Sequence, residues 1–207
     1  MSISLTDKLR ARFKAPSKTN IPKSVAAGAL IAMGCVANLK AGGGIPGAVL
    51  FSAGLWFVVS FDAQLFTGRV AKPEYSPVQK LIMLVFNLVG AFVTGFLAGH
   101  FLPEITDSAK ELMGKYSDPL KVLWQGVMCG ACMFLATAPP KVLNGSRLPH
   151  VIYGVTLFIL SAYAHSIALM GYAGIALKLN WWLIPVAALG NTLGSYTIKW
   201  LLGYKYS

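Results

Sequence analysis

Ionisable side chains are scarce inside the long apolar runs of this chain, and two matter for chemistry, Asp62 and His165. Ionisable groups at membrane depth are expensive, so each marks a pathway or a proton relay more often than a packing accident. His165 lies in Ser161-Ala-Tyr-Ala-His165-Ser-Ile-Ala-Leu-Met170. Imidazole ordinarily titrates near neutral pH, so the chemistry it offers is proton transfer or a switchable positive charge. Asp62 could work in the same path, cap a broken helix or bond a backbone group. It precedes Ala63-Gln-Leu-Phe-Thr67-Gly68, with Arg69 next. The Thr-Gly pair closing that apolar run reads as a helix break. Irregular backbone at membrane depth is tolerated only where it is buried in protein or lines a water-filled cavity. Asp62 and His165 also fall at nearly corresponding positions of the two halves of the chain.

Other chemistry finds little support. Cys35, Cys129 and Cys132 all lie in apolar runs, and only the last two have a Cys-x-x-Cys spacing. With no second cysteine pair or nearby histidine, they read as small packing residues, and neither a metal nor another cofactor is expected. A membrane enzyme would want paired ligands, or a nucleophile with its base, within the spans. One histidine deep in a span supplies neither, so no enzymatic activity is expected.

The elements that must position these residues follow from composition. The 207 residues are 56% hydrophobic and only 12% charged, about half the charged fraction of a soluble domain. Mean hydropathy is +0.62. Six apolar stretches stand out, at 21–39, 46–66, 78–102, 120–138, 148–172 and 180–203. Each is near the ~20 residues that a helix needs to cross the hydrocarbon. None shows the alternation of a barrel strand, so the chain reads as an all-α membrane protein with six transmembrane helices.

The net charge of +11 would suggest nucleic acid on a soluble protein. Here the basic residues sit mostly between the apolar runs and at the N-terminus, which suits topology and anionic lipid, and no nucleic-acid partner is expected. Thirteen of the eighteen Lys and Arg residues fall on the side that holds both termini. The other side holds Lys40, Lys110, Lys115, Lys121 and Lys178, with Glu104, Asp107, Glu111 and Asp118. The positive-inside rule therefore expects both termini in the cytoplasm. Residues 1–21 read as a separate basic segment ahead of a six-helix transmembrane domain over 22–203. Leu5, Leu9 and Phe13 fall four apart there, as in a helix lying on the inner leaflet, and no cleavable signal is expected.

The two halves echo each other. Asn87-Leu-Val-Gly90 returns as Asn191-Thr-Leu-Gly194, and Phe51–Leu55 resembles Tyr153–Leu157. Gly28 and Gly34 answer Gly126 and Gly130. Three-span repeats must insert with opposite orientation, and inverted repeats build transporters and channels with the site between them.

Three motifs carry a family resemblance. Gly54-Leu55 with Ala63–Gly68, Ala164-His165-Ser-Ile-Ala168, and Leu183-Ile-Pro-Val186 with Gly190-Asn-Thr-Leu-Gly194 resemble the second-, fifth- and sixth-helix motifs of the formate/nitrite transporter family. The resemblance implies an aquaporin-like fold of two inverted three-helix repeats with broken helices 2 and 5. It implies a homopentamer, in a prokaryotic-type inner membrane, that passes formate, nitrite or hydrosulfide through a pore in each protomer. By motif position His165 is the pore histidine and Thr67 faces it. Phe51, Leu55, Leu65, Phe66 and Phe158 form apolar constrictions, and Lys121 stands for a vestibule lysine. The chain departs from the family pattern at Gln64, Ala164, Leu169 and Gly130. A proton-coupled carrier, or a pore for ammonium or neutral solutes, is the alternative within the same fold.

Overall fold

Residues 18–138 and 146–206 are described by a computed structural model, and all their regular structure is helical. The expected surface helix at Leu5–Phe13 lies outside the described residues. Among the described residues nine α-helices follow in order: α1 (Ile21–Lys40), α2 (Gly44–Ser60), α3 (Phe66–Arg69), α4 (Pro77–Phe101), α5 (Thr106–Gly114), α6 (Pro119–Thr137), α7 (Leu148–Leu160), α8 (Ser166–Ala176) and α9 (Leu183–Leu201). Starts are written in the sequence. Asn20 caps α1 by accepting from Lys23 N, and Asp118 caps α6 by accepting from Leu120 N and Lys121 N. Ser76 and Gln79 form a reciprocal capping box at the start of α4, with Pro77 in its first turn.

Three of these helices are long and apolar enough to cross a membrane: α1, α4 and α6. The stretches over 46–66 and 148–172, where the resemblance implies broken helices, are interrupted. The first divides into α2 and the four-residue α3, and the second into α7 and α8. The break in the first comes at 61–65, ahead of Thr67-Gly68, which lie inside α3. What ends α2 and α7 is a residue in the left-handed region, Asp62 (φ 50°) and Ala162 (φ 52°). Such a residue cannot continue a right-handed helix. The short α5, between α4 and α6, packs on α8 and is an element that the apolar pattern did not signal.

Two helix pairs form the frame, α1 with α4 and α6 with α9. Glycine lets their backbones touch. A side chain on Gly28 would run into Asn87 O, and one on Gly90 into Val25 O. In the second pair Gly130 meets Asn191 O and Gly194 meets Val127 O in the same way. The matching of the halves is therefore Gly28 with Gly130, where the sequence pairs Gly28 with Gly126. Outside the frame, α4 exposes Val85, Val89, Phe92, Val93 and Phe96. A continuous apolar face of that length suits lipid or a neighbouring subunit.

Candidate functional site

The two interruptions are built alike. Each frees backbone groups that must find partners in the interior. Asn87 on α4 serves the first. Its Oδ1 accepts from Phe66 N at 2.7 Å, and its Nδ2 donates to Ser24 O at 2.7 Å and Gln64 O at 2.9 Å. Asn191 on α9 serves the second. Its Oδ1 accepts from Ser166 N at 2.9 Å, and its Nδ2 donates to Gly126 O at 3.0 Å and Ala164 O at 2.8 Å. Gln64 N donates to Lys23 O, and Ala164 N to Gln125 O. These matched bonds pair Leu65 with His165 and Asp62 with Ala162. The correspondence of Asp62 with His165 suggested by the sequence is thus three residues out of register.

His165 is 1% exposed and caps α8. Its Nδ1 accepts from Ala168 N at 3.0 Å, which puts the ring proton on Nε2. Nε2–H then donates to Thr67 Oγ1 at 2.9 Å, joining the two interruptions at their centre. The imidazole stacks on Phe158, with ring centres 5.4 Å apart. Phe158 in turn meets Phe51 edge to face at 5.6 Å. Phe51, Leu55, Leu65 and Phe158 all lie in one apolar cluster and are at most 2% exposed.

Phe66 goes elsewhere. It packs with Val70, Tyr75, Met83 and Ala188 in a second cluster, beside an outer groove, rather than with the other proposed constriction residues. Gln64 is buried as a tie to the start of α1: its Oε1 accepts from Asn20 N at 2.6 Å, and its Nε2 donates to Lys18 O.

Two cavities approach the pair from opposite ends of α2. One, of about 60 Å³, lies at the C-terminal end of α2 and the N-terminal end of α7, bounded by Val58, Asp62, Leu65, Arg69, Lys72 and Arg147. The other, of about 310 Å³, spans the N-terminal end of α2 and the C-terminal end of α7. Asn38, Lys115, Tyr116, Phe158, His165 and Tyr172 are among its lining. Asp62 stands at the first mouth with a largely exposed carboxylate, paired to Lys23 Nζ at 3.1 Å and to Arg69. Arg69 also donates to Tyr75 Oη, Asp62 O and Ala63 O. In the same mouth, burial and then the neighbouring Arg69 hold the Lys72 ammonium below the usual lysine range. Lys121 lines neither cavity. The lysine at the second mouth is Lys115, 3.4 Å from Glu111.

A family model, Formate/nitrite transporter, matches residues 3–204. The chain belongs to the formate/nitrite transporter family. Solved structures agree on the fold. A "Pentameric formate channel with formate bound" is 20% identical and superposes with a TM-score of 0.76, over 95% of this chain and 99% of that one. An "FNT family ion channel" is 18% identical, with a TM-score of 0.74 over 89% and 90% of the two chains. A search of curated protein sequences finds no match. As a family member the chain is an integral membrane protein of the channel and transporter class, with the all-helical architecture of these channels.

Proposed function

We propose that this chain conducts small monovalent weak-acid anions, namely formate, nitrite or hydrosulfide, through a pore in each protomer of a homopentamer. The observation that carries the reading is the His165–Thr67 bond at the centre of an apolar plug, with cavities approaching from opposite ends. The six spans form two inverted triplets. The doubled asparagine brackets and the opposite senses in which α2 and α7 run past the two cavities support that arrangement. Both termini face the cytoplasm, as the basic residues require.

Arg69, Lys72 and Arg147 at one mouth and Lys115 at the other concentrate anions. Phe51, Leu55, Leu65 and Phe158 then exclude a hydrated ion by dewetting. Stripping a carboxylate-sized ion of water costs on the order of 20 kcal/mol in the idealised limit, so a bare anion does not pass. The anion takes a proton from water in the cavity that reaches His165, the hydroxide left behind returning to bulk, and the neutral acid crosses. His165 serves this step as a fixed neutral donor. A protonated imidazole would lose the Ala168 N–H bond and set its charge against the positive end of the α8 dipole.

Uptake of the three anions into liposomes, followed from pH 5 to 8, tests the reading. The expected result is uptake that rises as pH falls in both wild type and His165→Asn, because the proton comes from bulk water, with uptake lowered at every pH in the variant. A variant that matches wild type at every pH removes the role of His165. Absence of uptake for all three anions removes permeation itself.

A further inference from the structure

The two interruptions share a backbone path but not their charges. Asp62 and Ala162 take the same left-handed turn, at φ 50° and 52°. The matched bonds from Gln64 N to Lys23 O and from Ala164 N to Gln125 O set Lys23 opposite Gln125. Arg69 and Leu169 are each the fourth residue of the helix that follows. The trio Lys23, Asp62 and Arg69 is therefore answered by Gln125, Ala162 and Leu169, and the second turn forms with no ion in it. There Tyr116 Oη donates to Ala162 O, as Arg69 Nη2 donates to Asp62 O. The Asp62 carboxylate is not what the turn needs.

Its surroundings point to another use. Lys23 Nζ donates to Asp62 Oδ2 at 3.1 Å, and Arg69 Nη2 donates to Oδ1, so each carboxylate oxygen takes one cation. Among the described residues Lys23 Nζ has no other partner. Arg69 is fixed independently of the carboxylate, through Tyr75 Oη, Asp62 O and Ala63 O. The carboxylate itself is 72% exposed and can swing away without unpacking anything. Asp62 and Arg69 line the first cavity together with Lys72 and Arg147.

We infer that Lys23 and Arg69 form a binding site for a small carboxylate or similar oxyanion at this mouth, and that the Asp62 side chain fills it as a tethered competitor. A tethered group competes at an effective concentration set by its tether. An entering anion displaces Asp62 and is displaced in turn, so the mouth does not hold it; conduction needs sites weak enough to leave. Hydrosulfide carries its charge on one atom and does not span both cations. The site stands on its own geometry, and its effect on flux rests on the permeation reading.

Asp62→Gly suits the positive φ and empties the site. In detergent at pH 7, sodium formate replaces sodium chloride at equal ionic strength. The variant is expected to melt about 2–4 °C higher in formate than in chloride, with wild type alike in both. In liposomes at one fixed pH, the half-saturating formate concentration is expected to fall about fivefold in the variant, the size of a partly exposed ion pair, and that of hydrosulfide less. A variant that formate and chloride stabilise equally overturns the site. An unchanged half-saturating value for formate overturns the competition, and an equal fall for both anions shows added positive charge alone and overturns the carboxylate preference. If wild type conducts neither anion, permeation fails and the melt alone decides the site. If Asp62→Gly does not fold, Asp62→Asn, which accepts the left-handed turn and removes the charge, carries the same measurements with the same signs.

Discussion

At the scale of single residues, Thr67 is a sharper probe of the centre than His165. Its hydroxyl accepts the imidazole Nε2–H, and valine matches threonine in shape without that oxygen. Thr67→Val leaves a buried N–H unpaired, which costs about 1–3 kcal/mol. The expected outcome is a lower melting temperature with uptake reduced about tenfold, and Thr67→Ser restores both. A thermal melt and a liposome uptake assay read the two effects, and a Thr67→Val protein that matches wild type in each rules the contact out as a working part. The pairing of Thr67 with His165 was expected only from the resemblance of two short motifs to the family's second- and fifth-helix motifs, since nothing in spacing or periodicity brings the two residues together. Other residues were not legible. Lys115, rather than Lys121, lines the cavity because α5 packs on α8, and nothing periodic in 103–118 fixes that packing. Phe66 was assigned to the constriction by motif alone. In a four-residue helix, periodicity cannot say which way a side chain points, and Phe66 faces Met83 and Ala188.

At the scale of elements, the interruptions depend on two amides. Asn191 holds Ser166 N, Gly126 O and Ala164 O, and Asn87 holds Phe66 N, Ser24 O and Gln64 O. Asn191→Leu keeps the branched shape in a larger side chain and removes every one of its bonds. The freed Ser166 N–H has no water to turn to, so a destabilisation of about 2–4 kcal/mol is expected. Chemical denaturation in detergent measures it. Because the Thr67–His165 bond joins the two interruptions, Asn87→Leu combined with Asn191→Leu should depart from the sum of the single changes by more than ~0.5 kcal/mol. A single loss below ~0.5 kcal/mol shows that the amide is not what closes the interruption. The repeat of Asn87–Gly90 at Asn191–Gly194 was readable from sequence because both the amide and the glycine are demanded by geometry: one ties off free backbone, the other lets the helices touch. The register of the remaining matches was not readable. Small residues are too common in membrane helices to fix an offset, and Gly28 proved to match Gly130 by its contact. The site of the first break was also displaced. Gly68 suggested it, but a left-handed Asp62 makes it, and aspartate adopts that conformation without glycine's signature.

At the scale of the whole molecule, the reading stands or falls on the two mouths opening to opposite sides of the membrane. Lys72 lines one cavity and Lys115 the other, so these two amines report the sidedness directly. In sealed right-side-out vesicles, a membrane-impermeant acylating reagent is expected to modify Lys115 and spare Lys72, with the reverse in inside-out vesicles. Peptide mass spectrometry reads the result. The pH dependence of labelling adds a check. Lys72 sits below the usual lysine range because burial and Arg69 disfavour its charged form. Acylation needs the free amine, and a lowered pKa supplies more of it at any given pH. The midpoint for Lys72 should therefore lie at lower pH than that of a free lysine side chain. It should shift back upward in Arg69→Gln, which removes the neighbouring positive charge. Modification of both lysines from the same face would mean that the cavities share one side of the bilayer. In that case no path crosses the plug at His165, whatever the behaviour of the individual residues.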